Sequence, residues 1–249
     1  MNHIVRPYFN TPLDTRRTQG MIAYYDATTQ QGGGYLVDKV GNKHGVFYNS
    51  PTWQDGNKIC GNGTSQYIIP SGLNLVNESR ITISTLVSVD AWTSGANLLS
   101  FRAFSAGYSY ALASDRINVG RSGYLVAANS SGLSANKVFR LTVVHNSSSS
   151  INVYVNGLDL TMTGNDYWNT NSNFIIGARY NSSVYSRFSS FKLQQLAIFN
   201  RALTHGEILA HYEDPYYFYE RPKIYGFIFS SSGNSLPAII NNHRQQGVM

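Results

Sequence analysis

The chain has 249 residues, of which 13% are charged, and its formal net charge is +6. This length is enough to bury a sizeable core within a single domain. The lone cysteine, Cys60, excludes an internal disulfide. No stretch approaches the roughly 20 consecutive apolar residues that a membrane-spanning helix requires. We therefore expect a globular protein without a membrane partner, and its first residues do not form a secretion signal.

Residues 1–20 show no sustained hydrophobic period, which predicts an extended N-terminal arm. The segment carries basic and aromatic side chains that would suit contacts with a neighbouring subunit. The candidate contact residues of the arm are Arg6, Tyr8, Phe9, Arg16 and Arg17.

Residues 21–215 carry many short apolar runs broken by turns rich in Gly, Asn and Ser, which predicts a β-sandwich. Strands are predicted at 21–26, 80–87 and 174–177. Alternating apolar residues at 139–145 and 151–155, with a serine-rich turn between them, predict a hairpin.

The segment after Phe191 changes its hydrophobic period from that of a strand to that of a helix. A strand is predicted up to Phe199, and the sequence Asn200-Arg201-Ala202-Leu203 follows it. Thr204 and Glu207 then fit a capping box, in which the Thr hydroxyl accepts from a helix amide and the Glu carboxylate accepts from the cap amide. A short helix is predicted to follow.

This order of strands, ending in that sequence and a capped helix, resembles the concanavalin A-like lectin/glucanase superfamily in its laminin-G-like form. The resemblance covers roughly residues 21 to 215. It implies an all-β fold, a two-sheet antiparallel jelly-roll sandwich with one short C-terminal helix and extended terminal arms. It implies little about activity, because one fold supports many functions.

Catalysis and metal binding are both predicted to be absent. Retaining glucanases of this superfamily carry a Glu-x-Asp-x-x-Glu pattern on one strand face, and this chain has no such pattern. Many relatives hold a calcium ion at the rim of the sandwich, and related domains often carry acidic residues where this chain has Thr64-Ser65-Gln66-Tyr67. We therefore expect a non-enzymatic protein with no metal and no cofactor.

The C-terminal residues 216–249 are predicted to form an assembly tail. The sequence from Asp214 to Pro222 resembles the ending that follows laminin-G-like modules in tailed-bacteriophage structural proteins. Its four consecutive aromatic residues need a covering surface, either on their own domain or on a neighbour. The run 224–229 has strand propensity and could extend a sheet edge. The candidate contact residues of the tail are Tyr216, Tyr217, Phe218, Tyr219, Arg221, Lys223, Tyr225, Phe227 and Phe229.

Two functions are compatible with this sequence. The first is a virion structural protein, a capsid decoration or attachment component that binds capsid or other virion proteins and forms a homo-oligomer. The second is a carbohydrate-binding adhesin or lectin module, part of a tail fibre or secreted, that recognises surface glycans by stacking aromatic rings on sugars. Nucleic-acid binding is not expected, because the basic residues of the flanks form short pairs rather than a stripe. The sugar-stacking candidates are Tyr167 and Trp168 in a turn-rich segment, and Tyr180 and Tyr185 in a predicted loop.

Overall fold

The computed structural model describes residues 12–30, 32–73, 75, 78, 80–91, 96–101, 109–112, 116–121, 124–129, 133–147, 150–160, 162–163, 174–181, 184–219, 225–227 and 239–241. These residues form antiparallel strands and a helix, α1 (His205–Glu213). The strands, in chain order, are β1 (Met21–Asp26), β2 (Tyr35–Leu36), β3 (Gly45–Tyr48), β4 (Thr52–Gln54), β5 (Lys58–Asn62), β6 (Tyr67–Pro70), β7 (Ile81–Val89), β8 (Asn97–Phe101), β9 (Ser109–Leu112), β10 (Arg116–Arg121), β11 (Tyr124–Asn129), β12 (Phe139–Ser147), β13 (Ser150–Val155), β14 (Leu158–Leu160), β15 (Met162–Thr163), β16 (Phe174–Ile176), β17 (Arg179–Asn181), β18 (Val184–Ser186), β19 (Ser190–Phe199), β20 (Tyr225–Phe227) and β21 (Ile239–Asn241).

Most of these strands belong to one of two large sheets. Sheet A has the order β14-β13-β12-β7-β19-β5-β4, and β1 pairs with the second half of β19, beyond β5. Sheet B has the order β15-β11-β10-β9-β8-β16-β6-β3-β2. The strand pairs β17-β18 and β20-β21 are separate hairpins. The expected all-β, two-sheet antiparallel jelly-roll sandwich with a short C-terminal helix is confirmed.

The hydrophobic core lies between the two sheets and uses alternate residues of their long strands. From sheet A, Val143 and Ile198 are 1% and 0% exposed, and from sheet B, Ile68 and Phe174 are both 0% exposed. Because side chains of a strand alternate between its faces, the residues between these positions lie on the outer faces. Complete burial of such a side chain stabilises the fold by about 1.5–3 kcal/mol relative to leaving it exposed.

A phenylalanine ring fills the space between the sheets at a point where each sheet has a glycine. Phe191 of β19 is 0% exposed and pairs with Gly61 of β5. A Cβ atom added to Gly61 would lie 2.8 Å from Cδ1 of Phe191, and one added to Gly177, which follows β16, would also lie 2.8 Å away. Gly177 in addition has a φ of 84°, a conformation that favours glycine. The ring therefore fits only because both backbones lack a side chain there.

The outer face of sheet A is polar in sequence and yet buried, because α1 and the segment after it cover it. Thr82 and Ser84 of β7 and Thr142 of β12 are 2% exposed or less. Their hydroxyls are hydrogen-bonded: Thr82 Oγ1 accepts from the amide of Leu203 at 3.0 Å, and the Ser84 and Thr142 hydroxyls are 2.8 Å apart. Helix α1 thus packs on the polar face of these strands.

The structure confirms most of the predicted elements and corrects others. The hairpin is observed as β12-β13, with Val143 opposite Val153. Tyr180 and Tyr185 were expected in a loop, which is wrong: they face each other in the β17-β18 hairpin. Of the strand expected at 224–229, the structure describes β20, which pairs with β21.

Candidate functional site

A row of stacked tyrosines lies on the outer face of sheet B. Tyr48 of β3 and Tyr67 of β6 face each other across the strands, with ring centroids 4.8 Å apart and an interplanar angle of 2°. Tyr185 of β18 stacks on Tyr67 at 4.3 Å, and Tyr180 of β17 lies 4.8 Å from Tyr185. Phe188 closes the row, 6.2 Å from Tyr67. The hairpin therefore brings residues distant in sequence onto the same surface.

Part of this surface is open to solvent. Tyr67 is 6% exposed, whereas Tyr48 is 39% exposed. Tyr35 of β2 pairs with Val46, which lies two residues before Tyr48. Tyr35 is therefore on the same face of the sheet as Tyr48, and it is 48% exposed. Burial, followed by the neighbouring Tyr185 and Tyr48 hydroxyls, raises the pKa of Tyr67, so the Tyr67 ring stays neutral. We call Tyr35, Tyr48, Tyr67, Tyr180 and Tyr185 the tyrosine face.

Neutral polar groups border the tyrosine face in two loops, 49–51 after β3 and 63–66 after β5, which are hydrogen-bonded to each other. Asn49 and Ser50, directly after Tyr48, have φ values of 56° and 59°. Asn49 Nδ2 donates to the Ser65 carbonyl at 2.8 Å, and Gln66 Nε2 donates to the Ser50 carbonyl at 2.7 Å. Asn62 Oδ1 accepts from three successive amides of the second loop at 3.0, 3.0 and 3.1 Å. These bonds fix both loops beside the rings.

The arrangement suits a ligand that has both an apolar face and polar edges. Tyrosine rings offer flat apolar surface at a small entropic cost, and amide and hydroxyl groups at the rim can orient a ligand by hydrogen bonds. A sugar ring has this character, since its axial C–H groups form an apolar patch and its hydroxyls project from the edge. The tyrosine face is therefore a chemically suitable sugar platform.

Two of the predicted sugar-stacking residues, Tyr180 and Tyr185, belong to this face. Tyr167 and Trp168 lie outside the described residues, so their role stays a prediction. The sequence analysis missed Tyr35, Tyr48 and Tyr67. The alternation of Tyr48 with the core residue Phe47, and of Tyr67 with Ile68, indicated outward-facing rings. The contact between them depends on the pairing of β3 with β6, which local sequence does not show.

The first four predicted assembly contacts of the tail, at 216–219, pack on the chain's own sandwich. Phe218 and Tyr219 are both 1% exposed, and Tyr216 and Tyr217 are half-buried. Phe218 lies 5.3 Å from Tyr24 and 4.1 Å from His211, centroid to centroid. This is the first of the two alternatives for the aromatic run, in which its own domain covers it.

The end of the predicted N-terminal arm lies against this tail segment. The amide of Asp14 donates to the Phe218 carbonyl at 2.8 Å, and Leu13 forms a β-bridge with Tyr219. Arg17 donates from Nη1 to the Tyr217 carbonyl at 2.8 Å and lies over the Tyr217 ring at 5.0 Å.

The structure shows less about the remaining predicted contact residues. Arg16 has a side chain 90% exposed, 3.5 Å from the Asp14 carboxylate. Only the backbone of Tyr225 and Phe227 is described, in β20. Residues outside the described ranges are Arg6, Tyr8, Phe9, Arg221, Lys223 and Phe229. The domain boundaries after residues 20 and 215 stay a prediction.

The predicted helix cap is confirmed. Thr204 Oγ1 accepts from the Glu207 amide at 3.3 Å, and Glu207 Oε2 accepts from the Thr204 amide at 2.8 Å. Arg201 also binds both carboxylate oxygens of Glu207, at 3.0 and 2.6 Å. The Arg201 hydrogen bonds, and then those of Thr204, hold the pKa of Glu207 below its usual value. This carboxylate is engaged in the fold.

A buried polar cluster lies beneath α1. Arg140 of β12 is 2% exposed and donates to His211 Nε2 at 2.7 Å and to Gln195 Oε1 at 3.0 Å. His211 Nδ1 lies 3.3 Å from the Ser84 hydroxyl. Burial and then the adjacent guanidinium hold the pKa of His211 well below its usual value, and burial lowers the pKa of Arg140 to about 10. His211 is therefore a neutral acceptor of the Arg140 hydrogen bond.

Within the described residues, no three His, Cys, Asp or Glu side chains come together as metal ligands would. In the same part of the chain, α1 is too short and too polar to span a bilayer.

Comparisons with known proteins identify the fold family. A family model of the concanavalin A-like lectin/glucanases superfamily matches residues 62–209. No curated protein matches the sequence. Trypanosoma rangeli sialidase in complex with sialic acid is similar in structure, with a TM-score of 0.60 and 18% identity over 78% of this chain and 33% of the sialidase chain.

Two smaller structures are similar as well. The receptor-binding domain of botulinum neurotoxin D has a TM-score of 0.57 and 13% identity, over 79% of this chain and 53% of that chain. Domain 4 of a GH43 extracellular arabinanase from Geobacillus stearothermophilus, in complex with arabinotriose, has a TM-score of 0.58 and 16% identity, over 76% of this chain and 96% of that chain. The chain thus spans about a third of the sialidase but nearly all of the arabinanase domain. At these identities the likeness shows the fold alone. The family model matches more than half of the chain, and it shows that the chain belongs to the concanavalin A-like lectin/glucanase superfamily.

Proposed function

We propose that this chain is a non-enzymatic carbohydrate-recognition module that binds sugars on its tyrosine face. The observation that carries the proposal is the continuous stack of Tyr48, Tyr67 and Tyr185, whose outermost ring is 39% exposed. Because its middle ring, Tyr67, is buried, the stack holds the exposed ring of Tyr48 in place before a ligand arrives. Such preorganisation lowers the entropic cost of binding.

The structural neighbours support the same class of ligand. The arabinanase domain is bound to arabinotriose, and the sialidase is in complex with sialic acid. These are properties of those proteins, and they make carbohydrate a reasonable first ligand class to test for this chain.

Absence of catalysis is part of the proposal. Glycoside hydrolysis usually requires a pair of carboxylates beside the sugar. Glu207 is held by the Arg201 guanidinium and by the helix cap, and the Asp26 carboxylate accepts hydrogen bonds from Tyr219 and Thr28. Both carboxylates are engaged in the fold, on the side of the sandwich that α1 covers.

The proposal is tested by binding to a glycan array, with Tyr48→Ala as the variant. We expect the wild-type chain to bind at least one glycan, and Tyr48→Ala to weaken that binding about tenfold, which corresponds to about 1.4 kcal/mol. Tyr212→Ala is the matched control, because Tyr212 is 43% exposed on α1, against the other sheet. Absence of binding to every glycan, or an equal loss in the two variants, would contradict the proposal.

A second candidate function concerns where the module operates. We propose that it is a virion structural protein, a capsid decoration or attachment component that binds other virion proteins and forms a homo-oligomer. Support comes from the Asp214 to Pro222 sequence, which resembles endings in tailed-bacteriophage structural proteins, and from the β20-β21 hairpin that follows it as a separate sheet. A hairpin that belongs to neither large sheet is suited to docking on a neighbour.

The test of this candidate is cosedimentation with purified virus particles. The informative truncation ends at Tyr219, because Phe218 and Tyr219 are buried and their removal would damage the sandwich itself. We expect the full chain to sediment with particles and the truncated chain to remain free while keeping its glycan binding. A full chain found only in the medium, and never with particles, would refute the virion role.

A further inference from the structure

The tyrosine face has a second exposed ring, apart from the stack that contains Tyr48. Tyr35 of β2 is 48% exposed, and the next residue, Leu36, is buried in the core, so the Tyr35 side chain lies on the outer face of sheet B. The backbone of β2 is held by Gln30, whose Nε2 donates to the Tyr35 carbonyl at 2.7 Å and whose Oε1 accepts from the Val37 amide at 2.9 Å. The face therefore presents two well-exposed rings on fixed strands.

Each exposed ring is backed by a second, less exposed ring. Tyr48 stacks on Tyr67 with a centroid distance of 4.8 Å. The Tyr35 ring lies against the ring of His44, with centroids 5.4 Å apart and an interplanar angle of 42°. His44 is itself fixed, because its Nδ1 accepts from the Asp38 amide at 3.1 Å. Both exposed rings are thus oriented before a ligand arrives, which lowers the entropic cost of binding to either.

The two exposed rings are too far apart for one sugar unit to cover both. Tyr35 is opposite Val46 of β3, and Tyr48 follows Val46 by two residues. Strand geometry places the Cα atoms of Tyr35 and Tyr48 roughly 8 Å apart, from about 6.7 Å along β3 and about 4.8 Å across the strands. The Tyr35 ring leans towards His44, which precedes Val46 by two residues, so the two rings diverge. A single sugar ring, similar in size to one tyrosine ring, can therefore stack on only one of them.

The surface between the two rings is open, apolar and uncharged. Val46 is 42% exposed, and Ile69, opposite it on β6, is half-buried. The four strands that carry this surface, β2, β3, β6 and β16, contain no charged side chain. Desolvation of an anion against such a surface is costly, because no cation of these strands would pair with it. A neutral sugar, with apolar C–H groups on its faces, suits the surface better.

We propose that the tyrosine face binds a neutral oligosaccharide through two subsites, in which one sugar unit stacks on Tyr48 and another unit of the same chain stacks on Tyr35. The inference rests on the proposed carbohydrate recognition and adds the class of glycan. Once one unit is bound, the linkage holds the other near its ring at a high effective concentration, so the two contacts reinforce each other. Affinity should therefore rise steeply until the chain spans both rings and change little with further units.

The experiment measures binding of neutral oligosaccharides of one to four units, in series built from glucose, galactose, xylose or arabinose, by nuclear magnetic resonance titration. The wild-type chain is expected to bind the three-unit member of at least one series at least tenfold more tightly than the monosaccharide. Tyr35→Ala is expected to reduce that gain to less than about twofold, whereas Tyr35→Phe, which keeps the ring, should preserve it. Tyr212→Ala is the matched control, because it removes a similarly exposed tyrosine from α1, against the other sheet.

Thermal unfolding distinguishes a binding ring from a merely structural one. Tyr35→Ala is expected to leave the melting temperature of the free protein nearly unchanged, because the side chain is about half exposed. Addition of the three-unit glycan is expected to raise the melting temperature of the wild-type chain more than that of Tyr35→Ala. Should Tyr35→Ala fail to fold, Tyr35→Leu decides the matter, because it keeps an apolar side chain on β2 and removes the flat ring.

The outcomes separate this inference from the proposed function. Three results would overturn the two subsites and leave sugar recognition intact: equal affinity for one and three units, a gain that survives both Tyr35→Ala and Tyr35→Leu, or an array preference of at least tenfold for a carboxylated or sulfated glycan over its neutral counterpart. Binding on the array without binding to any of the four series would also overturn them. Absence of binding to any glycan would overturn both the inference and the proposed function.

Discussion

Replacement of Phe218 by Ala tests whether the aromatic segment after α1 is an integral part of the sandwich. The Phe218 ring is 1% exposed and packs against Tyr24, Phe199 and His211, with centroid distances of 5.3, 5.7 and 4.1 Å. Its neighbours belong to β1, β19 and α1, so its removal leaves a cavity with walls from three elements. A buried Phe→Ala change of this kind costs about 3–5 kcal/mol.

The expected loss is large compared with the stability of a whole domain, which is about 5–15 kcal/mol. For a chain of this size, about 3–5 kcal/mol corresponds to a decrease in melting temperature of roughly 10 °C. Urea denaturation followed by tryptophan fluorescence measures the free-energy change directly. Tyr212→Ala is the control, because Tyr212 is 43% exposed on α1, and it should change the free energy of unfolding by less than about 0.5 kcal/mol. A loss below about 1 kcal/mol for Phe218→Ala would refute the packing described above.

Three further predictions concern the cap, the buried histidines and the glycine pair. Thr204→Ala removes the hydroxyl that accepts from the helix amide and should cost about 1 kcal/mol in urea denaturation. The pKa of His145 is lowered to about 3 and that of His211 is also far below normal, so the unfolded chain binds more protons between about pH 3 and 6.5. The free energy of unfolding should therefore fall as the pH decreases through that window, by up to about 1.4 kcal/mol per pH unit for each histidine. His211→Gln should reduce this dependence on pH. A free energy of unfolding that does not change with pH would contradict the assignment of both histidines as neutral. Gly61→Ala should destabilise the protein through its clash with Phe191, and Phe191→Leu should partly relieve the added cost in a double-mutant cycle.

The strands and the capped helix were predictable because their causes are local. The alternation of Leu141 and Val143, and the Thr204 to Glu207 spacing, each specify an element within a few residues. The tyrosine face was predictable only in part, since it depends on which strands become neighbours. Tyr48 and Tyr67 meet through the β3-β6 pairing, and the β17-β18 hairpin then places Tyr185 on top.

The burial of Phe218 and Tyr219, at the start of the tail, was not predictable for a related reason. Its four aromatic residues required a covering surface, and the sequence allowed either the chain's own domain or a neighbour. The choice depends on the outer face of sheet A, where Tyr24 and Phe199 provide an apolar patch beside polar strand residues. Long-range packing of this kind leaves no periodic pattern in the tail itself.

The bridge between Leu13 and Tyr219 has a consequence for how the sandwich can be attached to another protein. It brings the incoming and outgoing polypeptide side by side at the outer surface of sheet A, whereas the tyrosines lie on the opposite side of the sandwich, beyond sheet B. A support joined to the chain at Leu13 or Tyr219 would therefore face the outer surface of sheet A, and the rings would point away from it. Circular permutation that joins the two flanks and opens the chain at an exposed turn should accordingly preserve both the fold and the recognition surface.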